Sequence, residues 1–128
     1  MPEGGYYEKR PRPEHREFLS KRLASTPVVS RVEEVDDFHF VVERPGKSTL
    51  RIYLTNKYIL SVADIMEILN DSPETTCIVS TMDYNQYSPE AKAYCAEQGV
   101  GLFKAVELFG AVYRDGTDFL NYVPPKRR

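Results

Sequence analysis

Apolar residues near the N-terminus recur at the spacing of a helix face. Phe18, Leu19 and Leu23 follow this spacing, and Pro13 is a residue type that the first turn of a helix tolerates. The pattern therefore predicts a helix that begins near Pro13. We expect Ser25-Thr26-Pro27 to end it, because proline cannot continue a regular helix.

Three β-branched or aromatic runs follow this helix. The first two, residues 28–35 and 38–44, are separated by Asp36-Asp37, and the third covers residues 49–55. The turn-forming residues 44–48 join the second and third runs, which predicts a β-hairpin. The alternating positions expected on its buried face are Phe38, Phe40, Val42, Leu50, Ile52 and Leu54.

Helix caps and short apolar runs alternate in the second half of the chain. Ser61 with Asp64 forms a capping-box pattern, Ser88 precedes Pro89 as a second N-cap, and Gly99 is placed to end that helix. The predicted elements are a helix from 62 to about 70, a strand at 76–81, a polar loop at 82–87, a helix between 88 and 99, a strand at 100–103 and a helix at 105–113 that residues 114–116 end.

This order, α-β-β-β-α-β-α-β-α, predicts an α/β fold. Strand–helix–strand crossovers imply parallel pairing, so we expect a mixed sheet with helices on both faces. We expect one domain over residues 14–123. A flexible N-terminal arm of residues 1–13 would precede it, and a basic tail of residues 124–128 would follow.

Length and composition are those of one ordinary globular domain of 128 residues, 41% of them hydrophobic. No apolar run approaches the roughly 20 residues of a membrane span, and the N-terminus lacks the apolar stretch of a secretory signal. Cys77 and Cys95 lie in apolar segments and match no metal or redox spacing. We therefore expect a cytoplasmic protein with no membrane association.

Charge is distributed unevenly along the chain. Residues 1–31 carry a net charge of +3, residues 32–123 a net charge of −8, and the last three residues +3. Basic ends can bind DNA or RNA by neutralising phosphates, although they can also serve only as solvated tails. The candidate nucleic-acid contacts are Arg10, Arg12, Lys126, Arg127 and Arg128.

Few residues match a known catalytic pattern. His15 and His39 lie in unrelated segments without a Cys/His cluster, and neither is recognisably placed beside a serine or cysteine nucleophile. The chain has no glycine-rich phosphate loop. We therefore expect no catalytic residue, metal or cofactor. Tyr84 and Tyr87, in a polar loop, could stack on bases or anchor a protein partner.

An enzymatic alternative uses the carboxylates near the hairpin. Asp37 and Glu43 could hold Mg²⁺, which takes oxygen ligands and can activate water against a phosphodiester. Lys47 or Lys57 would then approach the phosphate. The adjoining segment, residues 50–57, contains no Asp or Glu to complete such a site.

The segment from 76 to 113 resembles the C-terminal half of Mrr-type restriction endonuclease domains. That family has an apolar strand ending in Ser/Thr, a helix with the pattern [ST]-x-x-A-x-x-x-A, a Gly-apolar strand and a last helix with a Glu-Leu step. The matching residues are Ser88, Ala91, Cys95 or Ala96, Gly99, Leu102 and Glu107-Leu108. In order of elements, the resemblance covers residues 14–113.

The resemblance implies a restriction-endonuclease-like fold whose catalytic motif is incomplete. In active members an Asp near the hairpin and a [Glu/Gln]-x-Lys on the next strand bind metal and the scissile phosphate. Asp37 matches the Asp, and His39 fits nearly as well. The second motif falls on Leu54-x-Asn56 or Tyr53-x-Thr55, and Lys57 would point to the opposite face.

We therefore expect a restriction-endonuclease-like module that associates with nucleic acid in an accessory or regulatory role and does not cut it. Two alternatives stay open. One is a protein-interaction subunit, for example a homodimer, that does not bind nucleic acid. The other is a Mg²⁺-dependent nuclease with a displaced site around Asp37 and Glu43.

Overall fold

The structure of the protein is a computed structural model that describes residues 9–82 and 85–125. The helices are α1 (Pro13–Ala24), α2 (Val62–Asp71), α3 (Pro89–Glu97), α4 (Ala105–Ala111) and α5 (Gly116–Leu120). The strands are β1 (Arg31–Glu34), β2 (His39–Glu43), β3 (Leu50–Thr55), β4 (Ile59–Leu60), β5 (Cys77–Ser80), β6 (Gln86–Tyr87) and β7 (Gly101–Lys104).

Five strands form one mixed sheet in the order β1-β2-β3-β5-β7. The pairs β1–β2 and β2–β3 are antiparallel, whereas β3–β5 and β5–β7 are parallel. In register, Phe40 lies opposite Ile52, and Ile52 lies opposite Cys77. The predicted α/β fold, hairpin and parallel crossovers are therefore confirmed.

Each face of the sheet is buried under its own helices. The face under α1, α4 and α5 packs Phe40, Ile52 and Phe103 against helix residues such as Leu19 and Leu108. The other face, under α2 and α3, packs Ile78 and Leu102 against Ile65, Ile68, Ala91 and Cys95. Because alternate residues of a strand enter opposite cores, the two clusters fix the register of the strands.

Local signals set the helix ends as predicted. The Ser61 hydroxyl accepts a hydrogen bond from the Asp64 N–H, and the Asp64 carboxylate accepts one from the Ser61 N–H. Ser88 accepts from the Ala91 N–H at 3.0 Å. Gly99 follows α3 with a φ of 75°, a conformation that favours glycine.

Three short elements were not predicted, namely β4, β6 and α5. The segment 82–87 is not only a loop, because Gln86–Tyr87 forms β6 and pairs in parallel with β4. Residues 114–116, which were expected only to end the helix before them, lead instead into α5. Phe119 of α5 packs edge-on against Phe103 at 5.1 Å between ring centroids. A strand of two residues and a helix of five are too short to produce a periodic apolar pattern.

The predicted N-terminal arm is partly packed on the domain. The Lys9 carbonyl accepts a hydrogen bond from the Asn56 N–H at 2.7 Å. Residues 1–8 lie outside the described residues, as do the C-terminal candidates Lys126, Arg127 and Arg128. None of the described helices has the length and apolar character needed to cross a lipid bilayer.

A buried arginine joins the β2–β3 turn to the C-terminal helices. The Arg44 side chain is wholly buried, and its guanidinium donates to the carbonyls of Val112 at 3.0 Å, Arg114 at 2.6 Å and Ser48 at 2.7 Å. It also donates to the Asp115 carboxylate at 3.1 Å. Three backbone carbonyls and the Asp115 carboxylate therefore all accept hydrogen bonds from the Arg44 side chain.

We predict that Arg44→Met lowers the free energy of unfolding by about 3 kcal/mol, because the carbonyls that it serves lose their donor. The matched control is Arg31→Met, which removes only exposed ion pairs to Glu33 and Glu43 and should cost at most about 1 kcal/mol. Urea unfolding followed by circular dichroism measures both. Equal losses in the two variants would contradict this role for Arg44.

The hydrogen bonds that join Arg44, Ser48 and Asp115 also predict that the protein loses stability in acid. Hydrogen bonds from the Ser48 hydroxyl and N–H hold the pKa of Asp115 at about 2, below its ordinary 3.8. A lowered carboxyl pKa contributes stability above pH ~3.8 that is lost as the pH falls toward 2. The stability difference between the wild type and Asp115→Asn should therefore shrink between pH 4 and 2. Urea unfolding at each pH measures this, and a difference that stays constant between pH 4 and 2 would contradict the prediction.

Candidate functional site

The bend between β1 and β2 presents two carboxylates to different partners. Asp37 lies 2.7 Å from Arg10 Nη1 and 3.7 Å from Arg16 Nη1. Arg16, on α1, also lies 3.9 Å from Glu34. The residue that the resemblance matches to a metal-binding Asp is therefore held between two guanidinium groups.

Asp37 and Glu43 lie at opposite ends of β2. The strand rise from His39 to Glu43 alone is about 13 Å, too far for both carboxylates to hold one ion. Glu43 pairs with Arg31 at 3.2 Å instead. The structure therefore does not bring Asp37 and Glu43 close enough to form the metal site of the enzymatic alternative.

The two lysines of that alternative are also separated. Lys47 lies in the turn beyond Glu43, where its N–H bonds to the Arg44 carbonyl. Lys57 lies beyond β3, with Nζ 3.8 Å from Asp64. Over residues 9–82 and 85–125, no group of three or more His, Cys, Asp or Glu side chains is placed to hold a metal ion.

Aromatic packing covers the neighbouring end of β3. The Phe38 ring stacks on Tyr53 at 5.6 Å between centroids, and the Arg10 guanidinium lies 4.9 Å from the Phe38 centroid. The prediction that Phe38 shares the buried face of Phe40 is wrong, because β2 begins only at His39 and Phe38 packs on the other face of the sheet.

Both described candidates for nucleic-acid contact are partly exposed and lie beside acidic residues. The side chain of Arg10 is 31% exposed and that of Arg12 is 29% exposed. Arg12 Nη1 lies 3.8 Å from Glu14. A phosphate would therefore compete with carboxylates of the same chain for these two cations.

The second carboxylate of the bend is part of a three-residue hydrogen-bond chain. His39 Nδ1 lies 2.7 Å from Asp36 Oδ1, and His39 Nε2 lies 2.9 Å from Ser72 Oγ. The Phe38 N–H also donates to Asp36 at 2.8 Å. Burial acts to raise the pKa of Asp36, but the hydrogen bonds from His39 and the Phe38 N–H bring it below its ordinary value.

A groove of about 300 Å³ runs beside this chain, and His39, Ser72 and Arg51 all line it. Arg51 lies opposite Val41 in the β2–β3 register, on the same face as His39. Its guanidinium makes no hydrogen bond or ion pair with the residues that the structure describes. The groove therefore brings together a serine hydroxyl, which is a potential nucleophile, a histidine, which is a potential base, and the exposed cation of Arg51.

The sequence did not show a histidine recognisably placed beside a serine, whereas the structure places His39 Nε2 2.9 Å from Ser72 Oγ. Ser72 follows α2 and is separated from His39 by 33 positions, so no local pattern joins them. In the sequence, Ser72 lies just beyond the helix predicted from 62 to about 70 and has no catalytic pattern around it. The spacing Asp36-x-x-His39 across a bend was the one available signal.

The other residues that the sequence analysis considered are Tyr87, Tyr84 and His15. Tyr87 donates its hydroxyl to Glu107 at 2.8 Å and is half-buried, which raises its pKa and makes it a packing residue. Tyr84 lies outside the described residues. His15, on α1, lines an apolar groove of about 390 Å³ between α1 and α4. Exposed Phe18 and Val106 also line this groove.

Comparison of the chain with protein-family models, with curated proteins and with solved structures found no match. The resemblance to Mrr-type domains therefore stays a prediction, which depends on the residues that carry it and on the order of the elements.

Proposed function

We propose that the chain is a restriction-endonuclease-like module that associates with nucleic acid in an accessory or regulatory role, without metal-dependent cleavage. The observation that carries the proposal is the ion-pair cluster of Arg10, Asp37 and Arg16. It lies at the end of the sheet where the resemblance expects the scissile phosphate.

Two guanidinium groups around one carboxylate suit a phosphate better than a metal. The planar fork of arginine matches the oxygens of carboxylate and phosphate alike, so a backbone phosphate can take the place of the Asp37 side chain. A divalent cation at Asp37 would instead have to displace both arginines and would meet their positive charge.

The charge distribution limits how nucleic acid can bind. A body with a net charge of −8 repels phosphates, so contacts should be confined to the basic ends. Arg12 lies near this cluster in the chain, and Lys126, Arg127 and Arg128 would add charge from the other terminus. Such binding should weaken steeply with salt, by a slope of about 0.9 per phosphate contacted.

The decisive variant is Asp37→Asn, which removes the competing carboxylate and leaves Arg10 and Arg16 in place. We predict that it binds short single- and double-stranded DNA and RNA about 2- to 5-fold more tightly, the equivalent of one exposed ion pair. Fluorescence anisotropy at two salt concentrations measures this. Arg10→Gln with Arg16→Gln should have the opposite effect.

The matched control is Asp118→Asn, which changes the net charge equally at an exposed position of α5. If both Asp variants gain the same affinity, net charge alone explains binding and the arginine cluster is not the site. Neutralising Arg10, Arg12, Lys126, Arg127 and Arg128 together should reduce the salt slope, and an unchanged slope would contradict that assignment. Mg²⁺-dependent shortening of the substrate that Asp37→Asn abolishes would favour the nuclease alternative.

A second candidate function, a protein-interaction subunit, is favoured by the apolar groove between α1 and α4. Phe18 and Val106 are 57% and 60% exposed there and line the same groove, so together they present apolar surface to a partner. If this face is an interface between copies of the chain, sedimentation should show a mass that rises with concentration. Phe18→Glu should abolish the rise, and Met66→Glu, at an exposed position on α2, should not.

A further inference from the structure

We propose that Ser72, His39 and Asp36 form a nucleophile–base–carboxylate site that hydrolyses small neutral carboxylic esters. This activity is separate from the association with nucleic acid, because it uses different residues. It depends on the hydrogen-bond chain from Asp36 through His39 to Ser72 and on the groove beside it.

The hydrogen bonds have the order that nucleophilic catalysis by serine requires. With its proton on Nδ1, His39 donates to Asp36 at 2.7 Å, which leaves Nε2 to accept the Ser72 hydroxyl at 2.9 Å. The Phe38 N–H fixes the Asp36 carboxylate in turn. Asp36 therefore orients the ring and stabilises the positive charge that forms on it, as a third group must.

The hydroxyl of Ser72 is not needed for the local backbone. The Ser72 N–H already donates to the Ile68 carbonyl at 2.8 Å, and the Ser72 carbonyl accepts from the Thr75 N–H at 3.1 Å. The turn after α2 is thus closed without the side chain. Its only hydrogen-bond partner in the described part of the chain is His39.

The reaction balances with water as the only co-reactant. Ser72 Oγ bonds to the ester carbonyl carbon while its proton passes to His39 Nε2, and the C–O bond to the alcohol then breaks as Nε2 returns that proton to the leaving oxygen. Water next attacks the acyl carbon, its proton passes through Nε2 to Ser72 Oγ, and the carboxylic acid leaves.

The lining of the groove defines the substrate class. A volume of about 300 Å³ is at the small end of ligand sites and fits a short acyl chain against Val35 and Val41. Arg51 lies on the same face and can stabilise negative charge on the carbonyl oxygen. Asp71 and Glu74 also line the groove and disfavour anionic esters and phosphodiesters, so the substrate should be neutral.

The experiment treats the full chain with an alkyl fluorophosphonate and, separately, with 4-nitrophenyl acetate. We expect a covalent adduct on Ser72, located by tandem mass spectrometry, and ester hydrolysis above the buffer rate. Ser72→Ala should abolish both. Asp36→Asn and His39→Gln should lower the hydrolysis rate at least 100-fold, and His15→Gln, the chain's other histidine, should leave it unchanged.

Two results overturn the proposal for protein that is folded by circular dichroism: no adduct on Ser72, or equal hydrolysis by the wild type and Ser72→Ala. If Ser72→Ala fails to fold, Ser72→Cys replaces it, because Cys77 and Cys95 are buried and give little background. Iodoacetamide should modify the Ser72→Cys variant at least 10-fold faster than a Ser30→Cys variant, whose position is exposed, and His39→Gln should remove the difference. Equal rates at the two positions would also overturn it.

Discussion

Strand β3 is the constraint on which the rest of the fold depends, because the sheet changes from antiparallel to parallel pairing there. Leu50, Ile52 and Leu54 enter one core, whereas Tyr53 packs against the other. The hairpin to β2 then fixes the bend before His39, and the crossover to β5 fixes the end of α2 and with it Ser72. The contact between His39 and Ser72 is a consequence of these two connections, since they bring the bend and the end of α2 to the same end of the sheet.

Much of the fold was predictable because its signals are local. Ser61 with Asp64, Ser88 and Gly99 each act within a few residues of their own positions, and the alternation in β2 and β3 encodes which side chains are buried. The helix α5 was missed because its stabilising contact is tertiary: Phe119 is buried against Phe103 and close to Gly101, which no neighbouring residue indicates. The brief β4–β6 pairing was missed for the same reason.

The candidate sites were predictable only in part. Asp37 could be singled out as a carboxylate of interest, but its partner Arg16 comes from α1, and that pairing depends on how the helix packs. Ser72 joins His39 only after α2 has crossed the sheet. The separation of Asp37 from Glu43, in contrast, follows from the strand rise and could have been counted from the sequence. Spacing along one element is thus predictable, whereas contact between elements requires the fold.

The outer strand β1 has a further consequence for the behaviour of the protein in solution. Its outer edge carries backbone groups that no other strand of the described sheet pairs, and such an edge is a template for the strand of another molecule. Three of its four residues, Arg31, Glu33 and Glu34, are charged and exposed. The net negative charge of this strand disfavours pairing between two copies, so charge helps to protect the edge. Because salt screens surface charges, this protection should weaken as the ionic strength rises.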